Sequence, residues 1–415
     1  MTVVTVGADD SGRGTFVSGS SRAWLAFAAV LVILPMIFTS SFSVSMLNQI
    51  GIAVIACLSF NLLLGQGGML SFGHALYTGM GAYLTVHALR GLAQGHWPVP
   101  VSLLPLAGGL AAVVVALLPG WIATRRGPTA FAMITLGLGE LAWAAALMFP
   151  GFSGGEGGIT ANRAVGLRPL GISLGPSSQM YWLIAAYTLC CAWLMHALTR
   201  TPLGHLLRAA RDNPERLSFL GHDPRRIRFL VFLISAFFAG VSGGLAALHL
   251  EIVTPDAMSM QRSGALLLFT VLGGTAVFYG PMIGAVLMVL TYGVLSEWTQ
   301  AWHLYLGLAF LIVVLWAPGG LASVLPGLMR AVRRRPVGAL AARAARVGLP
   351  SLAGFAGTAA LIEMVYRLKL ETALGPVLGF LGLSLDVTRA SHWAACAVLA
   401  AAGWALAWRL SQEAQ

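Results

Sequence analysis

Glu140 stands in the middle of an uncharged run, ITLGLGELAW. A carboxylate at membrane depth is costly unless it is paired or faces a cavity. His74, in SFGHALYTG, follows a glycine-rich break. Together these two groups have the chemistry of a proton-coupled carrier. For each of them singly, a hydrogen-bond partner packed between helices is the expected role. Catalysis requires more. The chain has one lysine, Lys369, and no GxxxxGK[ST] surrounds it, so ATP hydrolysis through a P-loop is excluded. HExxH and CxxC do not occur, and Cys57, Cys190, Cys191 and Cys396 lie in apolar segments without metal-ligand spacing. The residues describe a protein that is not an enzyme and calls for no cofactor. His249 and Glu251 fall where an apolar run ends, and simple interfacial positions are expected for them.

The strongest local signal is charge. Ten of the 39 charged residues fall between Arg200 and Arg228, and seven of those ten are arginines. Such an island between apolar stretches belongs on the cytoplasmic side. It also carries short apolar faces, Leu203, Leu206 and Leu207, then Leu217, Phe219 and Leu220, as an amphipathic helix does. A loop that only fixes topology needs the arginines and not the apolar stripe, so a cytoplasmic docking surface is expected here.

The second signal is glycine. In NLLLGQGGMLSFGHALYTGMGAY, residues 61–83, Gly65, Gly67, Gly68, Gly73, Gly79 and Gly81 punctuate an apolar stretch. Broken or closely packed helices in transporters use such glycines, because freed backbone groups must face a cavity or a partner. Gly65, Gly68, Gly73 and Gly79, with His74 and Glu140, are therefore the candidate pathway or packing residues. Tight helix packing without a pathway is the alternative. A similar texture recurs at 272–285, LGGTAVFYGPMIGA, which suggests an internal duplication.

The elements that must position these residues are membrane helices. The chain is 58% hydrophobic and 9% charged, against roughly a quarter charged in ordinary globular domains. Ala23 to Leu89 is 67 residues without Asp, Glu, Lys or Arg, where a spanning helix needs about 20. An all-α polytopic membrane protein follows, with spans expected near 23–40, 44–64, 69–89, 100–123, 128–149, 180–198, 229–250, 263–279, 281–296 and 303–320. Two further apolar runs, 347–366 and 391–408, make a C-terminal hydrophobic hairpin. With the N-terminus cytoplasmic, 17 of the 21 basic residues up to Arg346 fall inside, and Arg90, Arg163, Arg168 and Arg262 fall outside. That bias, rather than nucleic acid, accounts for the formal charge of +11. Residues 1–22 contain no cleavable signal pattern, so the first run is expected to be retained. The expected organisation is a cytoplasmic tail at 1–22, a transmembrane domain at 23–329, a basic linker at 330–346 and a hydrophobic extension at 347–415. The loop 150–179, rich in Gly and Pro, is the long external one.

Taken in order, these segments resemble the inner-membrane permease subunits of branched-chain amino-acid ABC transporters, the LivM type. The resemblance is carried by residues 61–83, GPTAFAMITLGLGEL at 127–141 and SGGEGGIT at 153–160. TPLGHLLRAARDNPERLSFLGHDPRRIRF at 201–229, AFFAGVSGGLAAL at 236–248, LLLFTVLGGTAVFYGPMIGA at 266–285 and LWAPGGL at 315–321 complete it. It covers roughly 20–330 and leaves the C-terminal extension outside. The resemblance implies a bacterial inner-membrane permease for a small-molecule substrate. A second related permease subunit, two cytoplasmic ATPase subunits and an extracytoplasmic substrate-binding protein are the implied partners. On matching positions, the ATPase-coupling segment is Arg208, Arg211, Asp212, Asn213, Glu215, Arg216 and Gly221. Pro214 is expected to bend that segment, and Glu156 stands where the family commonly has a neutral or amide residue. Urea and short-chain amide permeases share much of the pattern. A self-sufficient carrier using Glu140 remains the alternative from another class.

Overall fold

The structure, a computed structural model, describes residues 16–95, 99–164, 174–317, 319–323, 337–370, 377–380 and 383–412. Arg168 of the long loop and Arg330 to Arg335 of the basic linker lie outside the described residues. The chain forms two compact units, Met1–Val289 and Leu290–Gln415. It is an all-α polytopic membrane protein. Among the described residues, seven helices are long and apolar enough to cross a membrane, and three shorter apolar ones accompany them.

The first unit opens with α1 (Phe16–Ile37), α2 (Ser41–Asn61) and α3 (His74–Ala93), followed by α4 (Leu104–Ala123), α5 (Pro128–Met148) and the single turn α6 (Pro150–Ser153). It continues with α7 (Ser177–Arg200), α8 (Pro202–Asp212), α9 (Pro214–Phe219), α10 (Pro224–Leu250), α11 (Met260–Gly273) and α12 (Gly280–Leu290). The helices start where local chemistry permits. Ser40 caps α2 by accepting from the Ser43 amide at 3.1 Å, and Asp223 caps α10 by accepting from the Arg225 amide at 2.9 Å. Proline occupies the first turn of α5, α8, α9 and α10, where its missing N–H costs nothing.

Small residues set the packing. The buried face of α10 lies against α3 and α4 so closely that a Cβ on Gly243 would stand 1.8 Å from the Thr78 carbonyl oxygen. One on Gly81 would stand 2.4 Å from the Gly240 oxygen. Where lipid removes the hydrophobic drive between helices, such backbone approach supplies the contact. Between the glycines, aromatic rings fill the interior: Tyr77 and Phe131 both meet Phe232 edge to face, at 5.3 and 5.8 Å.

Two expected spans are corrected. The run expected as 69–89 becomes helical only at His74, because α2 continues through a π turn, Leu62–Gln66, and closes in a non-helical stretch before α3. The run expected as 263–279 ends at Gly273. Gly274 has φ +112°, which a residue with a side chain rarely adopts. α11 is 14 residues, about 21 Å at 1.5 Å per residue, which is shorter than the roughly 30 Å hydrocarbon core. One strand pair was not anticipated within the long loop: β1 (Ile159–Thr160) pairs antiparallel with β2 (Ile252–Val253), Ile159 opposite Val253.

The second unit contains a π turn, Thr291–Leu295, then α13 (Ser296–Trp298) and α14 (Trp302–Trp316). Two long helices follow, Val337–Leu370 and Ala390–Gln412, joined through an antiparallel strand pair, Val377–Phe380 with Leu383–Asp386. Residues 337–346 of the basic linker belong to the first of these helices. The two helices pack through Gly354, Gly357 and Gly403; a Cβ on Gly403 would stand 2.3 Å from the Gly354 nitrogen. Glu363 accepts hydrogen bonds from the hydroxyls of Tyr305 (3.1 Å) and Thr299, tying the extension to α14 and its approach.

Candidate functional site

The charged island folds as two short helices. Thr201 caps α8 and Pro202 opens it, and Gly204, Leu207 and Ala210 form its buried face. Pro214 does more than bend the segment. It forces the residue before it out of the helical region, so Asn213 is extended at φ −155°, ψ 95°, and α8 ends at Asp212. Asn213 then caps α9 by accepting from the Arg216 amide at 2.9 Å. Gly221, at φ +82°, follows α9 in the left-handed conformation typical after a helix end.

The predicted coupling residues divide between two faces. Arg208 and Arg211 bond back to the glycine segment. Arg208 donates to Gln66 Oε1 at 3.2 Å and to His205 Nδ1 at 2.9 Å, and Arg211 donates to the Gly65 carbonyl at 2.5 Å. Asp212 pairs with Arg211 at 3.0 Å. Asn213 and Gly221 shape the ends of α9. Glu215 and Arg216 are exposed. Arg228, from the first turn of α10, donates to the Ala210 carbonyl at 3.1 Å and holds the last turn of α8.

Leu217, Phe219 and Leu220 were expected as one apolar face of a docking surface. Only Leu217 is buried; Phe219 is 91% and Leu220 70% exposed. Two apolar residues at the end of a charged helix, directly before a glycine, were the available signal. They stand beside an open cleft of about 610 Å³ formed by Thr124–Gly127 with residues of 214–228, including Glu215, Asp223 and Arg225.

The glycine segment lies directly behind α8. Gly68 has φ +63°, and a Cβ there would also meet Arg211 Cγ at 2.7 Å. A Cβ on Gly65 would stand 2.2 Å from Asn61 Oδ1 and 2.7 Å from the Thr275 carbonyl, so the two glycine-rich breaks, 61–83 and 272–285, meet each other. Gly73 abuts α5: its Cβ would stand 2.0 Å from the Thr135 carbonyl oxygen. Gly79 abuts the turn before α11, 2.1 Å from Met258 Cγ.

His74 and Glu140 bond to different partners, although their chain neighbours touch: a Cβ on Gly139 would stand 3.1 Å from Gly73 Cα. His74 is fully buried, shares one hydrogen bond of 3.0 Å between Nε2 and Ser59 Oγ, and packs edge-on to Phe60. Glu140 Oε1 accepts from the Met260 amide at 3.2 Å, at the first turn of α11.

His249 and Glu251 lie at the end of α10, and both are hydrogen-bonded there. His249 lies 3.3 Å from Ser45 Oγ and 3.5 Å from Asn48 Nδ2. Glu251, at φ +58°, accepts from the Arg163 amide at 3.0 Å. The Arg163 guanidinium donates to the carbonyls of Leu174, Gly175, Leu248 and His249, at 2.8 to 3.2 Å, and so ties the long loop to the end of α10. Glu156 is exposed on that loop.

An apolar bundle with glycine-broken helices and a capped helix pair at its arginine-rich end defines a polytopic membrane transport component. Among the described residues, no cluster of His, Cys, Asp or Glu is arranged to hold a metal. Residues 42–316 match the family described as Branched-chain amino acid transport system / permease component, and the chain belongs to that family. It is similar to the high-affinity branched-chain amino acid transport system permease protein LivM of Escherichia coli K12, 28% identical over 65% of this chain and 67% of that protein. The LivM protein of Salmonella typhimurium LT2 is likewise 28% identical, over 67% of this chain and 69% of that one. A shorter stretch is 29% identical to a probable branched-chain amino acid transport permease protein LivH of Methanocaldococcus jannaschii, over 31% of this chain and 42% of that protein. No solved structure matches the chain.

Proposed function

We propose that this permease forms part of the inner-membrane pathway of an importer for branched-chain amino acids. It works beside a second, related permease subunit and is driven by two separate cytoplasmic ATPase subunits. An extracytoplasmic binding protein delivers the substrate. The N-terminus and the α8–α9 pair face the cytoplasm. In support, the end carrying Arg125, Arg126 and the Arg200–Arg228 island is far more basic than the end carrying Arg90 and Arg163. The similarity to LivM and LivH proteins supports both the substrate class and a related partner permease.

The observation that carries the reading is the exposed pair Phe219 and Leu220 at the end of α9. The ends of both helices are capped, and Leu207, Ala210 and Leu217 are buried against the rest of the unit. Only an outside partner gives two exposed apolar side chains in a water-facing loop something to cover. Glu215 and Arg216 then rim that contact. Glu140 and His74 have structural partners, Met260 and Ser59, and this arrangement favours the ATP-driven reading over a carrier coupled through Glu140.

The test is a double substitution, Phe219→Ser with Leu220→Ser, with leucine as the uptake substrate. The expected result is a permease at normal abundance in the membrane from which the ATPase subunits no longer co-purify, with uptake lost. Normal uptake and normal co-purification refute the docking assignment.

A further inference from the structure

The close of α2 leaves the Gly65 carbonyl for another element to satisfy. Beyond the π turn, Gly68 N bonds to Leu64 O at 3.0 Å and Met69 N returns to Leu63 O at 2.9 Å, a Schellman-like ending that passes over the Gly65 carbonyl. Arg211 Nη1 donates to that carbonyl at 2.5 Å. The same guanidinium donates through Nε to Asp212 Oδ1 at 3.0 Å, which fixes its orientation. The Arg211 stem lies on Gly68, where no side chain stands in the way, and Leu207 of the same helix face reaches Gly67, 3.3 Å from where its Cβ would be. Arg208 adds a bond to Gln66. On its other side, Gly65 faces the Thr275 carbonyl in the second break.

We propose that Arg211 is the positioning residue that carries movement of α8 and α9 into the two glycine breaks, by gripping the Gly65 carbonyl. The proposal rests on the docking reading above and deepens it: α9 meets the partner, whereas Arg211 transmits. The physical reason is that a π turn is a locally rearrangeable part of a helix. A charge-assisted bond to its free carbonyl is the strongest handle α8 has on it. A cation is also the favourable charge at the C-terminal end of α2. Displacement of α8 therefore pulls Gly65 against Thr275 instead of sliding past it. Lysine offers a single point of attachment in place of the fork that holds Gly65 and Asp212 together.

The experiment uses the whole transporter in proteoliposomes, with its ATPase subunits and binding protein, and measures leucine moved per ATP hydrolysed. Arg211→Gln is expected to assemble with the ATPases and to hydrolyse ATP, while leucine moved per ATP falls at least tenfold. Arg211→Lys is expected to recover part of that ratio. Phe219→Ser with Leu220→Ser instead loses the ATPases, so a failure of docking and a failure of transmission are separate outcomes. A wild-type transport ratio in Arg211→Gln overturns the proposal. Loss of the ATPases from Arg211→Gln also overturns it and places Arg211 in the docking face. If Arg211→Gln does not accumulate, Arg211→Lys decides: a wild-type ratio there refutes the fork.

Discussion

Replacing Gly73 by alanine adds one methyl group at the tightest place between the glycine segment and α5. That methyl would stand 2.0 Å from the Thr135 carbonyl oxygen and 2.9 Å from its carbon. Close carbon-to-carbonyl contacts settle at about 3.3 Å or more, so α3 and α5 must separate locally by roughly 1.3 Å. The obstacle is backbone and cannot turn aside as a side chain would. Phe72 N also donates to Thr135 Oγ1 at 3.2 Å, so the separation strains that bond too. Overpacking of this kind costs on the order of 1–3 kcal/mol, and the rigid obstacle places Gly73→Ala toward the upper end. Gly137, two residues from Thr135 on α5, supplies the control. A Cβ there meets nothing within 4 Å, and alanine in a helix interior is favoured over glycine by up to about 1 kcal/mol. The assay compares the thermal midpoint of the detergent-solubilised permease and leucine uptake in cells for the two variants. Gly73→Ala should lower the midpoint and impair uptake, and Gly137→Ala should leave both unchanged or raise the midpoint. If the two alanine variants behave alike, close approach at Gly73 does not hold α3 to α5 and the reasoning fails.

Three further outcomes are expected. Glu140→Gln keeps an acceptor for the Met260 amide, so uptake and its pH profile should be preserved, while Glu140→Ala should lose about 1 kcal/mol of stability with that bond. Uptake that collapses with the proton gradient in the wild type but not in Glu140→Gln would favour a carrier. Arg163→Ala removes the donor to four carbonyls, and cleavage of the 150–179 loop by added protease should accelerate severalfold; an unchanged rate would show that the loop is held elsewhere. Truncation after Arg346 removes Glu363, the acceptor for Tyr305 and Thr299, and should lower the thermal midpoint while preserving insertion and substantial transport. Complete loss of the assembled permease would make the extension integral.

The helices were legible because lipid imposes a simple rule: a stretch of about 20 apolar residues must satisfy its backbone internally, and helix is the way a single segment does so. The breaks were legible as glycine clusters, but not their geometry. Nothing in the order of residues 61–83 shows that Gly65 faces Thr275, more than 200 positions away, because that contact exists only once both breaks are packed. For the same reason, the matched coupling positions were recognised as one group. Arg208 and Arg211 lie on α8, next to the docking surface on α9, yet they bond away from it to Gln66 and Gly65. Phe219 and Leu220 were legible as part of an apolar docking face, but the burial of Leu217 beside them was not, because periodicity shows which residues share a face and not which of them point outward.

A common logic joins the charged residues that the apolar bundle retains. Each of four stands at a helix end that its own chain leaves open. Arg211 serves the end of α2 at Gly65, Arg228 the end of α8 at Ala210, and Arg163 the end of α10 at Leu248 and His249. Glu140 serves the start of α11 at Met260. The signs follow the helix dipole: cations meet carbonyls at C-terminal ends, and the single anion meets an amide at an N-terminal end. In a soluble protein water would satisfy these groups. Where helices break at membrane depth or end under a packed loop, a side chain from another element must do so. The structural cost of a mostly uncharged chain is thus concentrated in a few ionic residues, each linking two elements that are distant in sequence. Arg211 differs from the other three only in position, because the helix it sits on, α8, leads directly into α9 and its exposed apolar pair. A bond that elsewhere merely closes a helix end there connects the docking surface to the breaks.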